Sequence, residues 1–288
     1  MYPHTLRWSN FHLTLGPRTA IMGIVNVTPD SFSDGGRFYG VDAAEVQAQQ
    51  LIAAGADIID IGGESTRPFA EQVPAQAEID RVVPVIERLA ATFPIPVSID
   101  TTKAEVAEAA LAAGAAMIND ISALTMDPRM AETAARWGVP VILMHMKGSP
   151  RTMQINPHYD DLMAEIIAYL KSAMAQATAA GIPKTHLIID PGIGFGKTIS
   201  HNLKIIQQLG RLSELEAPIL IGPSRKAFIR KLLASGADAA LTVDRPEVET
   251  GTQAALAMAI INGAHIVRVH DVANTKAMVT IVDAIRTS

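Results

Sequence analysis

Short apolar runs rich in β-branched residues recur along the chain. Each follows a stretch with helical spacing and stops at a polar residue. Three show the join plainly: 58–60 after Ala54-Gly55-Ala56, 117–120 after Ala113-Gly114-Ala115, and 266–268 after Asn262-Gly263-Ala264. Glycine suits a helix C-cap, where φ turns positive, and an apolar run without alternation suits a parallel strand buried on both faces. Further strands fall at 20–25, 97–99, 141–144, 187–189 and 219–221, making eight. Helical stretches fall at 42–54, 75–93, 103–113, 130–137, 160–180, 201–209, 247–261 and 274–285. Strand and helix alternate with no linker-like or low-complexity segment between them. That order predicts an α/β fold, a single (β/α)₈ TIM barrel over 1–288, better than an open doubly wound sheet. Residues 1–19 precede the first strand as a cap, with a hairpin as one form it could take.

Composition narrows the chemistry. The 288 residues are 49% hydrophobic and include no cysteine, which excludes disulfides, thiolate-bound zinc, Fe–S clusters and a thiol nucleophile. Any metal must take oxygen or imidazole ligands, and the redox compartment stays open. The net charge of −5 argues against affinity built on nucleic-acid phosphates. Residues 1–19 mix His4, Arg7, His12 and Arg18 with isolated apolar residues, unlike a secretory signal, and no run reads as a membrane span. The expectation is a cytoplasmic protein that binds neither membrane nor nucleic acid.

In a barrel the residues closing each strand share one rim, and that rim carries the active site. Here they are Asn26, Asp60, Asp100, Asn119, Met144-His145, Asp190, Gly222 leading to Ser224-Arg225-Lys226, and Arg268 with His270. Singly, each Asp or Asn reads as a turn or cap residue. Together they read as a site. Asp60, Asp100, Asn119 and Asp190 call for a donor-rich guest such as a guanine-like or pterin-like ring, with Lys226 supplying a compensating charge. A second set, Asn26, Arg67, Arg268 and His270, suits a phosphate or pyrophosphate, because guanidinium groups bind its oxygens in a fork. Asn26 offers a neutral oxygen that could join substrate oxygens on Mg²⁺.

Two motifs fail on spacing. Gly192-Ile193-Gly194-Phe195-Gly196 is not a dinucleotide fingerprint, and Gly196-Lys197-Thr198 lacks the first glycine of a phosphate loop, whose place Pro191 takes. The glycines better suit a backbone lying close to a flat ring, with Phe195 packing on it. His145 and His270 lack zinc-ligand spacing, and Met144 reads as pocket wall.

Five segments then spell a family: GIVNVTPDSFSDGG at 23–36, DIGGESTRP at 60–68, DPGIGFGK at 190–197, SRK at 224–226 and RVHD at 268–271. In that order they closely resemble the dihydropteroate synthase family of pterin-binding enzymes. The resemblance implies a (β/α)₈ homodimer that joins 6-hydroxymethyl-7,8-dihydropterin pyrophosphate to p-aminobenzoate with Mg²⁺, releasing pyrophosphate and 7,8-dihydropteroate, and that sulfonamide inhibitors block. By position it implies a pterin pocket of Asp60, Asp100, Asn119, Met144, Asp190, Phe195 and Lys226. The pyrophosphate would meet Asn26, Thr66, Arg67, Arg268 and His270, with Asn26 also the metal ligand. The p-aminobenzoate would lie among Phe32, Thr66, Pro68, Phe195 and Lys226, with Asp34 on the loop after the first strand. Asp100, Lys226, Arg268 and Asn26 are the residues closest to catalysis in that reading. Two positions depart from the family's common pattern: Ala227 stands where a serine is frequent, and Phe69 where a small residue is. Both bear on p-aminobenzoate and sulfonamide affinity rather than on the reaction class.

Overall fold

A computed structural model describes residues 3–28, 37–65, 73–150, 152–234 and 240–288. Eight parallel strands form the barrel: β3 (Ala20–Asn26), β4 (Ile58–Gly62), β5 (Val97–Asp100), β6 (Met117–Asp120), β7 (Val141–Met144), β8 (Leu187–Asp190), β9 (Leu220–Ile221) and β10 (Ile266–Val269). Neighbours run β8-β7-β6-β5-β4-β3-β10-β9, and an isolated parallel bridge between Ile189 and Ile219 closes the ring. All eight expected strands are present.

Nine helices lie among the described residues: α1 (Arg37–Ala53), α2 (Ala75–Thr92), α3 (Ala104–Ala112), α4 (Met130–Trp137), α5 (Leu162–Ala179), α6 (Ile199–Gln207), α7 (Ala227–Leu232), α8 (Pro246–Ile261) and α9 (Val272–Thr287). Eight match the helical stretches of the sequence. Two corrections follow. Helix α1 begins before residue 42, because polar and aromatic residues at its start hide the period. Helix α7 was missed, since six residues are too few to display one. Gly55, Gly114 and Gly263 end helices with φ of +102°, +108° and +110°, as the junction pattern requires. No helix among the described residues is long and apolar enough to cross a membrane.

The N-terminal segment is a hairpin, β1 (His4–Trp8) paired antiparallel with β2 (Phe11–Leu15). Its apolar residues alternate, so one face is buried, and that face plugs the barrel. Leu6, Trp8, Leu13 and Leu15 pack on Ala20, Met22, Ile58, Met117, Ile142, Ile188, Leu220 and Ile266. Trp8 Nε1 donates to the Ala116 carbonyl at 2.7 Å, satisfying the one polar atom the plug buries on that ring.

The alternate strand residues, among them Ile21, Ile59, Ile99, Ile118, Leu143, Ile189, Ile221 and Val267, face outward into the larger core shared with the helices. The inward set therefore changes character along most of the strands. Two residues beyond the apolar plug it becomes Asp60 after Ile58, Asn119 after Met117, Met144 after Ile142, Asp190 after Ile188, Gly222 after Leu220 and Arg268 after Ile266. A period of two keeps each pair on the same face. The barrel interior thus has an apolar floor and, toward the mouth, a layer that carries the polar groups.

Candidate active site at the barrel mouth

The polar layer converges. Strand register sets Asn26 beside Gly62, Gly62 beside Asp100, and Asp100 beside Asn119, so these share a rung around the barrel. Asp60 lies one rung deeper, level with Ile24 and Ser98. From the facing wall Arg268 reaches across, donating from Nε to Asp60 Oδ2 at 2.6 Å and from Nη2 to Asp100 Oδ2 at 2.7 Å. Asn119 Nδ2 donates to the same Asp60 oxygen at 3.0 Å. Asp60 is fully buried, yet its Oδ1 has no hydrogen-bond partner among the described residues. A buried carboxylate oxygen left so is costly, and a guest N–H can relieve it.

Asp190 closes β8 and accepts from the Gly192 backbone N–H at 2.7 Å. The chain then turns through Gly192, Gly194 and Gly196, all at positive φ. At Gly192 a Cβ would stand 1.9 Å from the His145 carbonyl oxygen, so no other residue fits there. The turn delivers Phe195 to the mouth, where it packs with Ile121, Met144, Met146 and Met153. Lys226, following β9, extends over Phe195 with Nζ 4.1 Å from the ring centroid. His270 follows β10, and its Nδ1 pairs with Ser224 Oγ at 2.9 Å.

Burial and charge set the ionisation. Desolvation pushes the Asp100 carboxyl up to about 7, helped by the negative charges of Asp60 and Glu78 and opposed by Arg268 and Lys226. Desolvation likewise raises Asp190 to about 6, against the Gly192 hydrogen bond and the charges of Lys226, Lys197 and Arg268. It lowers Lys226 to about 8, with Arg268 pushing the same way. Arg268 stays charged, its pKa raised by Asp60 and Asp100 over the cost of burial.

The sequence placed an acidic set and an anion-binding set at one rim. The geometry brings Asp60, Asp100, Asn119, Asp190, Met144, Phe195, Lys226, Asn26, Arg268 and His270 to that rim, with Arg268 belonging to both sets. Instead of standing apart, it pairs with two of the carboxylates. Phe32, Asp34, Thr66, Arg67 and Pro68 lie outside the described residues. Sequence reasoning passed over Ile121 and Met146, whose apolar side chains carry no signal outside the strands, and Lys197, discarded with the failed phosphate-loop spacing.

Among the described residues, a metal fits the donor set in one manner. The described residues hold no group of three His, Asp or Glu side chains able to cage an ion. Gly62 lies beside two oxygens: a Cβ there would stand 3.8 Å from Asn26 Oδ1 and 3.9 Å from Asp100 Oδ2. A neutral amide oxygen at such a place suits Mg²⁺, which keeps most of its shell for water and phosphate.

Comparison with known proteins agrees with this geometry. The family model described as pterin binding enzyme matches residues 22–270. The dihydropteroate synthase of Synechocystis is 45% identical over 273 residues, covering 94% of this chain and 91% of its own. Among solved structures, the dihydropteroate synthase of Yersinia pestis with a sulfonamide drug complex superposes with a TM-score of 0.86 at 46% identity, covering 96% of this chain and 98% of its own. That of Xanthomonas albilineans with 4-aminobenzoic acid gives 0.86 at 46%, covering 96% of each. The chain belongs to the pterin-binding enzyme family and, within it, to the dihydropteroate synthases.

Proposed function

We propose that the polar layer of the barrel binds 6-hydroxymethyl-7,8-dihydropterin pyrophosphate and p-aminobenzoate and joins them into 7,8-dihydropteroate, releasing pyrophosphate. The observation that carries this reading is the convergence at the barrel mouth of three carboxylates, an amide and two cations, carried on or just after β4, β5, β6, β8, β9 and β10.

In this reading Asp60, Asn119 and Asp190 take the pterin ring. The ring's amino and ring N–H groups meet the open Asp60 Oδ1 and the Asp190 carboxylate, while Lys226 donates to a ring carbonyl or nitrogen. Met144 closes one of its faces. The C–O bond to pyrophosphate breaks with electron release from the ring nitrogens, so positive charge grows on the pterin as C–O cleavage runs ahead of attack. Asp100 faces that charge, and a cation forming beside it draws its pKa back down, so the carboxylate is ionised when it is needed. Pyrophosphate leaves toward Arg268, His270 and Asn26, with Thr66 and Arg67 completing the set. Mg²⁺ held by Asn26 and substrate oxygens would take up charge developing on the leaving group. The arylamine nitrogen attacks as a neutral nucleophile and loses its proton after the C–N bond forms. It needs placement between Phe32, Pro68, Phe195 and Lys226 more than a strong base.

A second copy of the chain completes the assembly. Leu232 and Leu233 on α7, Met258 and Ile261 on α8, and Ile281 and Ile285 on α9 are exposed large apolar residues. They sit on three helices packed in series. An apolar patch spread over neighbouring helices suits a two-fold contact with a second copy of the chain.

The test is pyrophosphate release and dihydropteroate formation with both substrates and Mg²⁺, repeated with Lys226→Ala and Arg268→Ala. Each variant should lose at least about a hundredfold in kcat/KM. Turnover indifferent to both changes would refute the assigned site.

A further inference from the structure

The mouth contains a buried cation for which the reaction has no use. Lys197 is 3% exposed, and its Nζ donates to the Phe195 carbonyl at 2.9 Å, to His145 Nδ1 at 3.0 Å and, at 3.4 Å, to the His145 carbonyl. Three acceptors surround one ammonium, the number its three N–H bonds can serve. Neither end of this clamp is loose. The His145 ring packs edge-on against Tyr169, with centroids 4.9 Å apart, and lies 6.1 Å from Tyr159. The glycine turn is pressed backbone to backbone on the same segment, since a Cβ at Gly196 would lie 2.5 Å from the Lys147 carbonyl oxygen.

The rest of the turn is held as closely. Tyr159 OH donates to the Gly196 carbonyl at 2.8 Å, and Gly194 N–H donates to Asn202 Oδ1 at 2.8 Å. Of these ties, only Lys197 holds the carbonyl of the residue whose ring faces the substrates. Burial lowers the Lys197 amine to about 7, with Lys226 pushing the same way and Asp190 opposing.

We propose that Lys197 is a positioning residue for the p-aminobenzoate half of the site: its amino group clamps the Phe195 carbonyl to His145 and so fixes the ring on which Lys226 rests. Losing the clamp frees Phe195 to tilt, which disturbs the arylamine more than the pterin, because Asp60, Asp100 and Asn119 are carried on strands. The inference rests on the proposed function, which supplies the role of Phe195.

The experiment compares steady-state constants and sulfonamide binding for wild type and Lys197→Met. The KM for p-aminobenzoate and the Kd of a sulfonamide should rise about tenfold, the loss of one buried hydrogen bond, while the KM for the pterin pyrophosphate stays within about twofold. The chain has no cysteine, so Lys197→Cys creates a single thiol that can be alkylated after unfolding and then refolded. An aminoethyl group restores the ammonium, whereas a propyl group restores only the volume. The aminoethylated protein should recover the p-aminobenzoate KM, and the propylated one should not. Equal recovery by both overturns the proposal, as does a Lys197→Met enzyme whose two KM values move together. If the alkylated forms do not refold, that KM split decides alone. Wild-type protein that forms no dihydropteroate in the same assay refutes the activity instead.

Discussion

Replacing Asp100 with asparagine should abolish turnover and yet stabilise the unliganded fold above neutral pH. Asp100 is 11% exposed and ion-paired to Arg268, but burial and the neighbouring negative charges still lift it from 3.8 to about 7. Below about pH 4 the group is protonated in the folded and unfolded chain alike and costs nothing. Between about 4 and 7 only the unfolded chain releases the proton, so the folded state loses about 1.4 kcal/mol per pH unit. Above 7 both forms are ionised and the full penalty stands, on the order of 4 kcal/mol. Asparagine keeps the shape and an acceptor for Arg268 without the charge. The Tm of Asp100→Asn should therefore match wild type near pH 4 and exceed it at pH 8, by up to roughly 8 °C for a chain of this size. Differential scanning calorimetry at the two pH values, without ligands, reads the difference directly. An equal destabilisation at both would mean that Arg268 fully offsets the Asp100 charge, and the electrostatic account of the mouth would fail. The turnover measurement is separate: kcat/KM should fall at least about a hundredfold because no anion then faces the developing charge.

Trp8→Ala opens the plug beneath the barrel and should cost about 3 kcal/mol in urea unfolding while leaving kcat and KM unchanged under native conditions; a large kinetic effect would mean the floor is not independent of the mouth. Ala227→Ser puts a hydroxyl next to Lys226, and the KM for p-aminobenzoate should drop about threefold, with no change counting against a carboxylate site at that end of the pocket. Ile281→Asp places a charge on the exposed face shared by α7, α8 and α9. It should convert a dimer to a monomer by light scattering after gel filtration, and a wild-type monomer would remove the homodimer reading.

How much could be read from the chain depended on how far each residue lay from a strand. Asp60, Asn119, Asp190 and Arg268 were legible because each sits two places beyond an inward apolar residue, and the strand period fixes their facing. The hairpin was only a possibility: its alternation is confined to two five-residue runs, and nothing in the sequence says what those runs cover. Lys197, Ile121 and Met146 escaped for another reason. They reach the mouth through turns whose course is set by tertiary contact, such as the close approach of Gly192 to His145. The left-handed Ala123 and Leu124, at φ of +52° and +68°, are likewise invisible to propensity. They are held by Asp120, which accepts from the Ser122 and Leu124 N–H groups and the Ser122 hydroxyl. In the sequence Asp120 is merely the end of a strand.

The ionisable groups of the mouth share a property that none shows singly. Burial moves the acids up, Asp100 to about 7 and Asp190 to about 6, and the amines down, Lys226 to about 8 and Lys197 to about 7. Groups whose pKa values differ by six or so units in water are brought within about two of one another. With acids and amines so nearly matched, moving a proton between them changes the free energy by only a few kcal/mol. The charge state of the mouth is therefore easily reset by what enters it. A pyrophosphate draws protons onto the lysines, and a pterin gaining positive charge draws them off the aspartates. Both shifts run toward the ionised forms, so each half of the substrate strengthens the groups that hold it. A mouth built from exposed, fully charged residues would gain nothing of the kind, because water would already have fixed every charge. Burial that costs stability in the free enzyme is thus what lets the site respond to charge separation as the C–O bond breaks.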